Sequence, residues 1–346
     1  MQNFEAAMTW LEGAGNCQVL LGNGFSMAYD RERFGYQAFA ARIETRSLLS
    51  QDVLRVMDVS GCTDFEQIMH SFLSSAALLR ALEGDIDQSL PARLEVAAKE
   101  LGEALAKSIA QLHPRVPGCI EDSQYRSTRR FLGRFSSIYT LNYDLLLYWS
   151  LMRDLGPETP RWGGSDGFTR SGPGEDLLWS MRSAQRQSVH YLHGAMHLFA
   201  GAQGVKKASY GDGGKPLIHQ TLGLLKDGLF PIYVAEGSSS DKLSKIRRSP
   251  YLSWALKSLS SCSGGLAIFG HSLADNDEHV LDAIVESGIA RLAISIYGSG
   301  DLEANREIIQ KGNFLAQRRA KECPGGPALA VQFYKAETVG LWSTSG

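Results

Sequence analysis

The sequence has no long hydrophobic run, no closely spaced cysteine pair and no excess of charge of one sign. None of its apolar runs approaches the roughly 18 residues that a membrane-spanning helix needs. The segment MQNFEAAMTWLEG at the amino terminus lacks the basic stretch and the long apolar stretch of a signal peptide. We therefore expect neither a secretory signal nor a membrane span, and no membrane partner.

The five cysteines are scattered along the 346 residues, and no two of them form a CxxC pair; they are Cys17, Cys62, Cys119, Cys262 and Cys323. An odd number of dispersed cysteines argues against a disulfide framework and against a zinc ribbon. It is typical of free thiols in a reducing compartment, so we expect a cytoplasmic protein. The 35 basic and 37 acidic residues nearly balance, which argues against nucleic acid as the primary ligand.

Short apolar runs, typical of buried strands, recur along the chain. Five are clear, and Ala328–Phe333 is a sixth candidate; the five are Gln18–Leu21, Ser137–Leu141, Ile232–Ala235, Leu266–Phe269 and Leu292–Tyr297. Each of the five is followed by glycine or polar residues, and helical patterns lie between them. The alternation predicts an α/β fold with a mostly parallel sheet that is covered by helices on both faces.

We expect one domain over residues 1–346, with three interruptions of the alternation. Residues from about 43 to 125 lack a convincing strand and show helical periodicity, for example in Phe65–Leu82, so they predict a helical insertion. Glycine-rich segments at about 155–174 and 201–216 predict long loops, which are often functional in compact domains.

Ligands of open α/β sheets bind at the carboxyl ends of the strands, so the residues that follow each run matter most. The first run is followed by Gly22, Asn23, Gly24, Phe25 and Ser26. Two glycines allow a sharp turn and a close approach to a ligand, and a helix that starts there attracts phosphate. The segment is not a complete GxGxxG and has no P-loop lysine, so an ordinary strand-to-helix turn explains it equally well.

The second run leads into Asn142 and Asp144, which lie two residues apart and can point into one crevice. An asparagine offers a donor and an acceptor without charge, which suits a sugar hydroxyl or a water molecule. A helix N-cap made by either side chain is an equally good interpretation.

His193 and Gly194 end another short apolar segment, where an imidazole can face a pocket and act as a base. A buried structural histidine is the alternative. His193 and His197 are four residues apart, as in some helical metal sites, but no nearby Glu or Cys completes such a site. Gly194 also disfavours a helix there, so we expect no metal.

The later runs are also followed by polar or glycine-rich segments. Glu236 follows the third run. Gly270, His271 and Ser272 follow the fourth, with Asp275 close behind, and Gly298 and Asp301 follow the fifth. Gly270 permits close backbone approach, Ser272 can bind phosphate or ribose, and the turn at Gly298 can admit an adenosine.

Together these segments resemble the sirtuin-like NAD-binding superfamily. Gly22–Ser26 is similar to the sirtuin Gly-Ala-Gly-x-Ser loop, and Asn142–Asp144 resembles its Asn-Ile-Asp. His193–Gly194 matches the catalytic His-Gly, Glu236 resembles the Glu of Phe-Gly-Glu, and Gly270–Ser272 resembles Gly-Thr-Ser. The resemblance covers about residues 15–300 and implies a Rossmann-like sheet.

A bacterial branch of sirtuin-like proteins resembles the chain more closely. Its Gly-Asn-Gly-Phe-Ser, Asn-Tyr-Asp-Leu-Leu-Leu and Leu-His-Gly segments recur here, as does Phe-Gly-His-Ser-Leu-x-x-x-Asp-x-His at Phe269–His279. Related domains are effectors of antiphage defence that deplete NAD. The four-cysteine zinc module of protein deacylases and an acyl-lysine channel motif are missing from the sequence, so deacylation loses support and NAD hydrolysis keeps it.

The resemblance implies that NAD is the substrate and that it is cleaved to nicotinamide and ADP-ribose. Asn142 would hold a ribose hydroxyl or the attacking water, His193 would accept a proton, and Asp144 would orient the nicotinamide or the ribose. The remaining candidates would bind pyrophosphate, ribose or adenosine; they are Gly22, Asn23, Gly24, Phe25, Ser26, Glu236, Gly270, His271, Ser272, Asp275, Gly298 and Asp301.

Two other functions stay open. The same pocket serves an ADP-ribosyltransferase or cyclase, or a non-catalytic sensor that binds NAD or ADP-ribose. Because unregulated NAD hydrolysis would kill the host, we expect control by homo-oligomerisation, by a separate sensor or activator protein, or by a nucleotide trigger.

Overall fold

A computed structural model describes most of the chain. The described residues are 1–35, 49–60, 65–82, 87, 89–159, 162–172, 175–201, 203–209, 216–226, 229, 231–234 and 238–344. Their central element is a six-stranded parallel sheet with the order β11-β10-β9-β1-β2-β5. These strands are β1 (Cys17–Leu21), β2 (Ser137–Thr140), β5 (Val189–Tyr191), β9 (Ser263–Phe269), β10 (Gly288–Ile296) and β11 (Ala330–Lys335).

The order in which the chain adds strands to the sheet reverses at β1. The chain first adds β2 and β5 on one side of β1, and then adds β9, β10 and β11 on the other. Counted among the parallel strands alone, this is the 3-2-1-4-5-6 order of dinucleotide-binding folds. The predicted α/β class with a Rossmann-like parallel sheet is therefore confirmed.

Helices surround the sheet. They are α1 (Phe4–Glu12), α2 (Gly24–Tyr29), α3 (Arg31–Phe34), α4 (Gln51–Ser60), α5 (Phe65–Ala81), α6 (Ser89–Leu112), α7 (Asp122–Leu132), α8 (Leu146–Met152), α9 (Met181–Ala184), α10 (Leu217–Lys226), α11 (Ser239–Arg248), α12 (Pro250–Ser260), α13 (Glu278–Glu286) and α14 (Glu303–Glu322). None of the described helices has both the length and the apolar content that crossing a bilayer requires.

Strand β1 shows how the sheet is buried on both faces. Successive side chains of a strand point to opposite faces. Val19 and Leu21 join the core on the side of α1, where they are clustered with Met8. Leu20 joins a second core on the other face, together with Val280 of α13. A run that is apolar at every position is therefore explained by two hydrophobic layers rather than one.

Helices also occupy the stretch in which the sequence predicts a helical insertion. Helices α4, α5 and α6 fill most of the stretch between β1 and β2 and bury a small core of their own. Val53 and Met57 of α4, Ile68 and Phe72 of α5, and Leu101 of α6 belong to that core.

A second, antiparallel sheet was not predicted, and it corrects the assignment of the third apolar run. It has the order β3-β4-β7-β6-β8 and consists of β3 (Phe168–Thr169), β4 (Leu177–Trp179), β6 (Gly194–Gly201), β7 (Gly204–Lys207) and β8 (Pro231–Tyr233). Placing 232–235 in the parallel sheet was therefore wrong for its described residues, because β8 pairs antiparallel with β6. An apolar run indicates burial but does not identify its pairing partner. The loops expected at 155–174 and 201–216 contain β3 and β7.

Arg319 connects α14 to α13, β10 and the segment before β11, and it is 1% exposed. Its guanidinium donates to the carbonyl oxygens of Ile284 at 2.6 Å and of Ile289 at 3.2 Å. It also donates to the carbonyl of Pro327 at 3.1 Å and to the Ser287 hydroxyl at 3.2 Å. One side chain thus satisfies backbone acceptors at the end of α13, in β10 and before β11.

We predict that Arg319→Met lowers the free energy of unfolding by roughly 3 kcal/mol, because several buried acceptors lose their donor at once. Urea unfolding measures the change. Arg306→Met is the matched control, since Arg306 is an exposed residue of the same helix, and it should change the value by less than about 0.5 kcal/mol. Equal losses in the two variants would contradict this role for Arg319.

Two buried histidines are held neutral by their surroundings. Nδ1 of His113 lies 2.9 Å from the carbonyl of Pro114, and Nε2 accepts from the N–H of Leu145 at 3.0 Å. Both ring nitrogens are thereby committed to the neutral form, and burial lowers the pKa of His113 to about 4. His190 stacks on Tyr139 with 4.8 Å between ring centroids, and burial also lowers its pKa to about 4.

These pKa values give stability a defined pH dependence. Between pH 6.5 and about 4 the unfolded imidazole binds a proton that the folded one does not, so the free energy of unfolding decreases as the pH falls. Each such histidine contributes a slope of about 1.4 kcal/mol per pH unit. We predict that His190→Phe reduces the slope by about that amount in urea titrations between pH 4.5 and 6. Exposed His219, changed to Gln, should leave the slope as it is.

Candidate active site

A cavity of about 960 Å³ lies at the carboxyl edge of the parallel sheet, where β1, β2, β5, β9 and β10 end. The residues expected from the sequence that line it are Asn23, Gly24, Asn142, Asp144, His193, Gly270, His271 and Ser272. Side chains from α2, α3 and the last described segment complete the walls. Open α/β sheets bind their ligands at this position, where the strand order reverses at β1.

The glycine turn after β1 packs directly against the turn after β9. The N–H of Gly22 donates to the carbonyl of Phe269 at 2.9 Å, and that of Gly24 donates to the carbonyl of Gly270 at 2.8 Å. A Cβ atom on Gly24 would lie 2.4 Å from Cα of Gly270, which itself has a φ of +68°. The glycines are therefore required by contact between two backbones, and this contact leaves Gly24 and Gly270 in the cavity wall.

Asn142 is fixed by its side-chain amide. Its Nδ2 donates to the carbonyl of Gly22 and to the hydroxyl of Ser26, both at 3.0 Å. The orientation of the amide follows from chemistry, because the Gly22 carbonyl only accepts and the Ser26 hydroxyl donates to Asp144. Both amide hydrogens are used, so Oδ1 is the atom of this side chain that is left to meet a ligand.

Asp144 is engaged with the protein on both carboxylate oxygens. One accepts from the Ser26 hydroxyl, and the other accepts from the N–H of Leu146 at 2.8 Å, in the first turn of α8. Burial raises the pKa of Asp144, although these hydrogen bonds oppose the shift. The N-cap of α8 is Leu145, which makes no side-chain capping bond, so Asp144 is not the N-cap; its carboxylate accepts from the N–H two residues further on, as in an Asx turn. Its contacts organise the Ser26–Asn142 pair.

His193 and Asn142 follow the ends of two neighbouring strands. Thr140 and Tyr191 are paired and end β2 and β5, and Asn142 and His193 follow two residues after these strand ends. His193 is 5% exposed, and burial lowers its pKa to about 3. Its Nε2 lies 3.0 Å from Nε2 of His279. The imidazole is therefore neutral near pH 7, and it lines the same cavity as Asn142.

Asp277, Lys242 and His279 surround His193, although the sequence analysis gave them no role. Lys242 is 3% exposed and donates to Oδ1 of Asp277 at 2.7 Å, while His271 lies 3.0 Å from Oδ2. Burial raises the pKa of Asp277, but the His271 hydrogen bond and the nearby cationic groups outweigh burial and hold it well below the usual range. The Asp-x-His that ends Phe269–His279 was the signal that could have identified two of these residues.

The pairing of His193 with His197 that was considered for a metal does not form. His197 is fully buried against the rings of Tyr148 and Tyr191, at 4.6 and 5.1 Å between centroids. Among the described residues, the possible ligand atoms grouped with His193 come from Asp277 and His279. His197 is thus a core residue of β6. The possible metal ligands near His193 are instead Asp277 and His279, which are distant from it in sequence.

Several expected ligand-binding residues are placed elsewhere. Phe25 is a core residue, because its ring packs on Trp342 at 5.4 Å and its carbonyl accepts from the indole N–H at 2.9 Å. Asp275 is exposed and pairs with Lys311. Of the described residues, those that were expected at the site but do not line the cavity are Gly22, Phe25, Ser26, Asp275, Gly298 and Asp301. Glu236 lies outside the described residues.

The far end of the cavity carries side chains that the sequence did not single out. Arg31 lies over the ring of Tyr297 at 5.3 Å, and both residues line the cavity together with Arg33. Arg33 is paired with Asp30 at 2.8 Å, so Arg31 is the guanidinium that offers this part of the cavity a charge suited to a phosphate. The short helix α3 brings both arginines there, and no local pattern in the sequence marks it.

Comparison with known protein families gives a match that covers most of the chain. No curated protein matches the chain. The family model described as a domain of unknown function, DUF4917, matches residues 19–342, which include all the parallel strands except the first two residues of β1. The chain therefore belongs to the DUF4917 family.

Proposed function

We propose that this protein binds NAD along the carboxyl edge of its parallel sheet and hydrolyses the bond between nicotinamide and ribose. One observation carries the proposal: Asn142 and His193, each two residues past the end of one of two neighbouring strands, line one cavity next to the glycine turn. The volume of about 960 Å³ is near the upper end of ligand pockets, as a dinucleotide requires.

The residues have distinct roles in this reaction. The bond from C1′ to the nicotinamide nitrogen breaks, its electron pair leaves with the nicotinamide, and the ribose becomes an oxocarbenium-like cation. Oδ1 of Asn142 holds a ribose hydroxyl or the attacking water in place. Water adds to C1′ and its proton passes to His193, directly or through a ribose hydroxyl. The Ser26–Asp144 contact keeps Asn142 in position.

The other half of NAD fits the opposite end. Gly24 and Gly270 let the pyrophosphate approach the backbone, and Ser272 adds a hydroxyl. Arg31 supplies positive charge, and Tyr297, whose ring lies under the Arg31 guanidinium, offers a ring for a base. An extended dinucleotide then has its nicotinamide ribose near His193.

The proposal has a direct test. Purified protein incubated with NAD should release nicotinamide and ADP-ribose in equal amounts, measured by chromatography. Asn142→Ala and His193→Gln should each lower kcat/KM by at least about 100-fold, because positioning and proton transfer are lost. His219→Ala, a change of an exposed histidine, is the control and should be unaffected. Full activity in both site variants would remove this mechanism.

The products also distinguish hydrolysis from transfer or cyclisation in the same pocket. Hydrolysis gives free ADP-ribose, a transferase gives ADP-ribose attached to an acceptor, and a cyclase gives a cyclic nucleotide. Mass spectrometry of the reaction mixture identifies which nucleophile attacks C1′.

A non-catalytic NAD or ADP-ribose sensor is the second candidate. It is favoured by the low pKa of His193 and by the contact of its Nε2 with His279, since both reduce its ability to accept a proton. Calorimetry that shows saturable NAD binding, with no product under the same conditions, would support the sensor over the hydrolase.

Control of the activity is part of the proposal. Unrestricted hydrolysis would exhaust cellular NAD, so we propose a gated effector of antiphage defence, as the resemblance to sirtuin-like proteins implies. A homo-oligomer, an activator protein or a nucleotide trigger would provide the gate.

A further inference from the structure

Two imidazoles and a carboxylate lie close together at the cavity wall, which His193 and Asp277 line. One ligand-type atom from each of His193, Asp277 and His279 lies within 4.8 Å of the other two. Nε2 of His193 is 3.0 Å from Nε2 of His279 and 3.9 Å from Oδ1 of Asp277. The residues come from the turn after β5 and from the start of α13, so the tertiary fold assembles the group.

These separations match the spacing of ligands around a small cation. Nitrogen atoms about 2.0–2.1 Å from a tetrahedral zinc ion lie about 3.3 Å from one another. The separations of 3.0 and 3.9 Å bracket that value. Two facing imidazole nitrogens can otherwise share only one proton between them, whereas a cation satisfies both lone pairs at once.

The groups behind the three ligands are arranged as in a metal site. Nδ1 of His279 lies 3.0 Å from the Ser239 hydroxyl, which also accepts from the His279 N–H at 2.8 Å. Nδ1 of His271 accepts from the Leu273 N–H at 3.1 Å, so its Nε2 carries the proton and donates to Oδ2 of Asp277. Hydrogen bonds of this kind orient metal ligands and fix their tautomers.

Backbone strain is present at the same place. Leu273 is 0% exposed and has a φ of +53°, a conformation that is uncommon for residues other than glycine. Its N–H is the donor that fixes His271. Strained residues persist where their surroundings hold them, and they are concentrated at functional sites.

We infer that His193, Asp277 and His279 bind one divalent first-row transition-metal ion, with zinc as the best-fitting member of the class. His193 and Asp277 line the cavity, so a fourth position opens towards a water molecule or a ligand. A site with three protein ligands and one open position is typical of a reactive metal rather than a purely structural one.

Lys242 determines how strongly the ion binds. Its ammonium lies 2.7 Å from Oδ1 of Asp277 and occupies the cationic position in this structure. A metal ion must displace it or share that oxygen, at a cost in Coulomb repulsion. Lys242→Met should therefore tighten metal binding, whereas loss of a ligand should weaken it.

The inference goes beyond the proposed hydrolysis and does not depend on it. A metal-bound Nε2 of His193 accepts no proton, so the hydrolytic roles above apply to the metal-free protein. Hydrolysis is therefore assayed with a chelator present and metal binding without NAD, and failure of either proposal leaves the other intact.

The test is zinc binding by the full chain. Protein stripped with a chelator is dialysed against Zn²⁺, and the bound metal is measured by mass spectrometry, with affinity from a chromophoric competitor. We expect one zinc ion per chain. His279→Ala and Asp277→Asn should each weaken binding by more than the roughly 10–100-fold that follows loss of an outer-shell partner. His219→Ala controls for surface histidines and should bind as the wild type does.

A spectroscopic arm makes the test independent of variant folding. Co²⁺ bound to the wild-type chain should give the intense visible absorption of a four-coordinate site, and Zn²⁺ should displace it. Circular dichroism checks that each variant is folded. Wild-type protein without saturable 1:1 zinc binding would overturn the inference, and so would folded His279→Ala and Asp277→Asn variants that bind zinc with unchanged affinity.

Discussion

Two backbone turns touch at Gly24 and Gly270, and the position of the cavity depends on that contact. The turns follow β1 and β9, which are adjacent parallel strands, and the N–H groups of Gly22 and Gly24 donate to the carbonyls of Phe269 and Gly270. Any side chain on Gly24 would have to occupy the space of another backbone. The cavity lies at the carboxyl ends of the strands, beside the contact between the turns after β1 and β9.

The turn after β1 also positions the polar side chains Asn142 and Asp144. The carbonyl of Gly22 and the hydroxyl of Ser26 hold the amide of Asn142, and Ser26 is in turn held by Asp144. Asp144 also accepts from the N–H of Leu146, the first residue of α8. The buried carboxyl thus stabilises a helix and fixes the group that faces the ligand, so its contribution to the site is made through Asn142. In the proposed reaction, an amide fixed in this way beside the ribose needs little reorganisation.

The sequence predicted most of the parallel sheet because its longer strands contain consecutive apolar residues, as burial on both faces requires; it missed β5, which is short and contains His190. It also identified Asn142 and His193, since strand ends are where such sheets place their chemistry. It did not predict the antiparallel sheet, whose short strands carry little periodicity, and it assigned β8 to the wrong sheet. Phe25 was misassigned because a local pattern does not show which side of a turn faces Trp342. Asp277 and His279 were missed because 84 and 86 residues separate them from His193 along the chain.

The neutral imidazole of His193 suits a metal ligand better than it suits a proton acceptor. Burial lowers its pKa to about 3, which makes it a weak base near neutrality but leaves a lone pair available to a metal ion. A weak base is sufficient for the proposed hydrolysis, because water that attacks an oxocarbenium-like centre becomes strongly acidic only as the new bond forms. The proton transfer then follows most of the bond cleavage, and positioning by Asn142 contributes more to the rate than the basicity of His193 does. Lys242 keeps the pocket compatible with this role, since its charge neutralises Asp277 while no metal ion is bound.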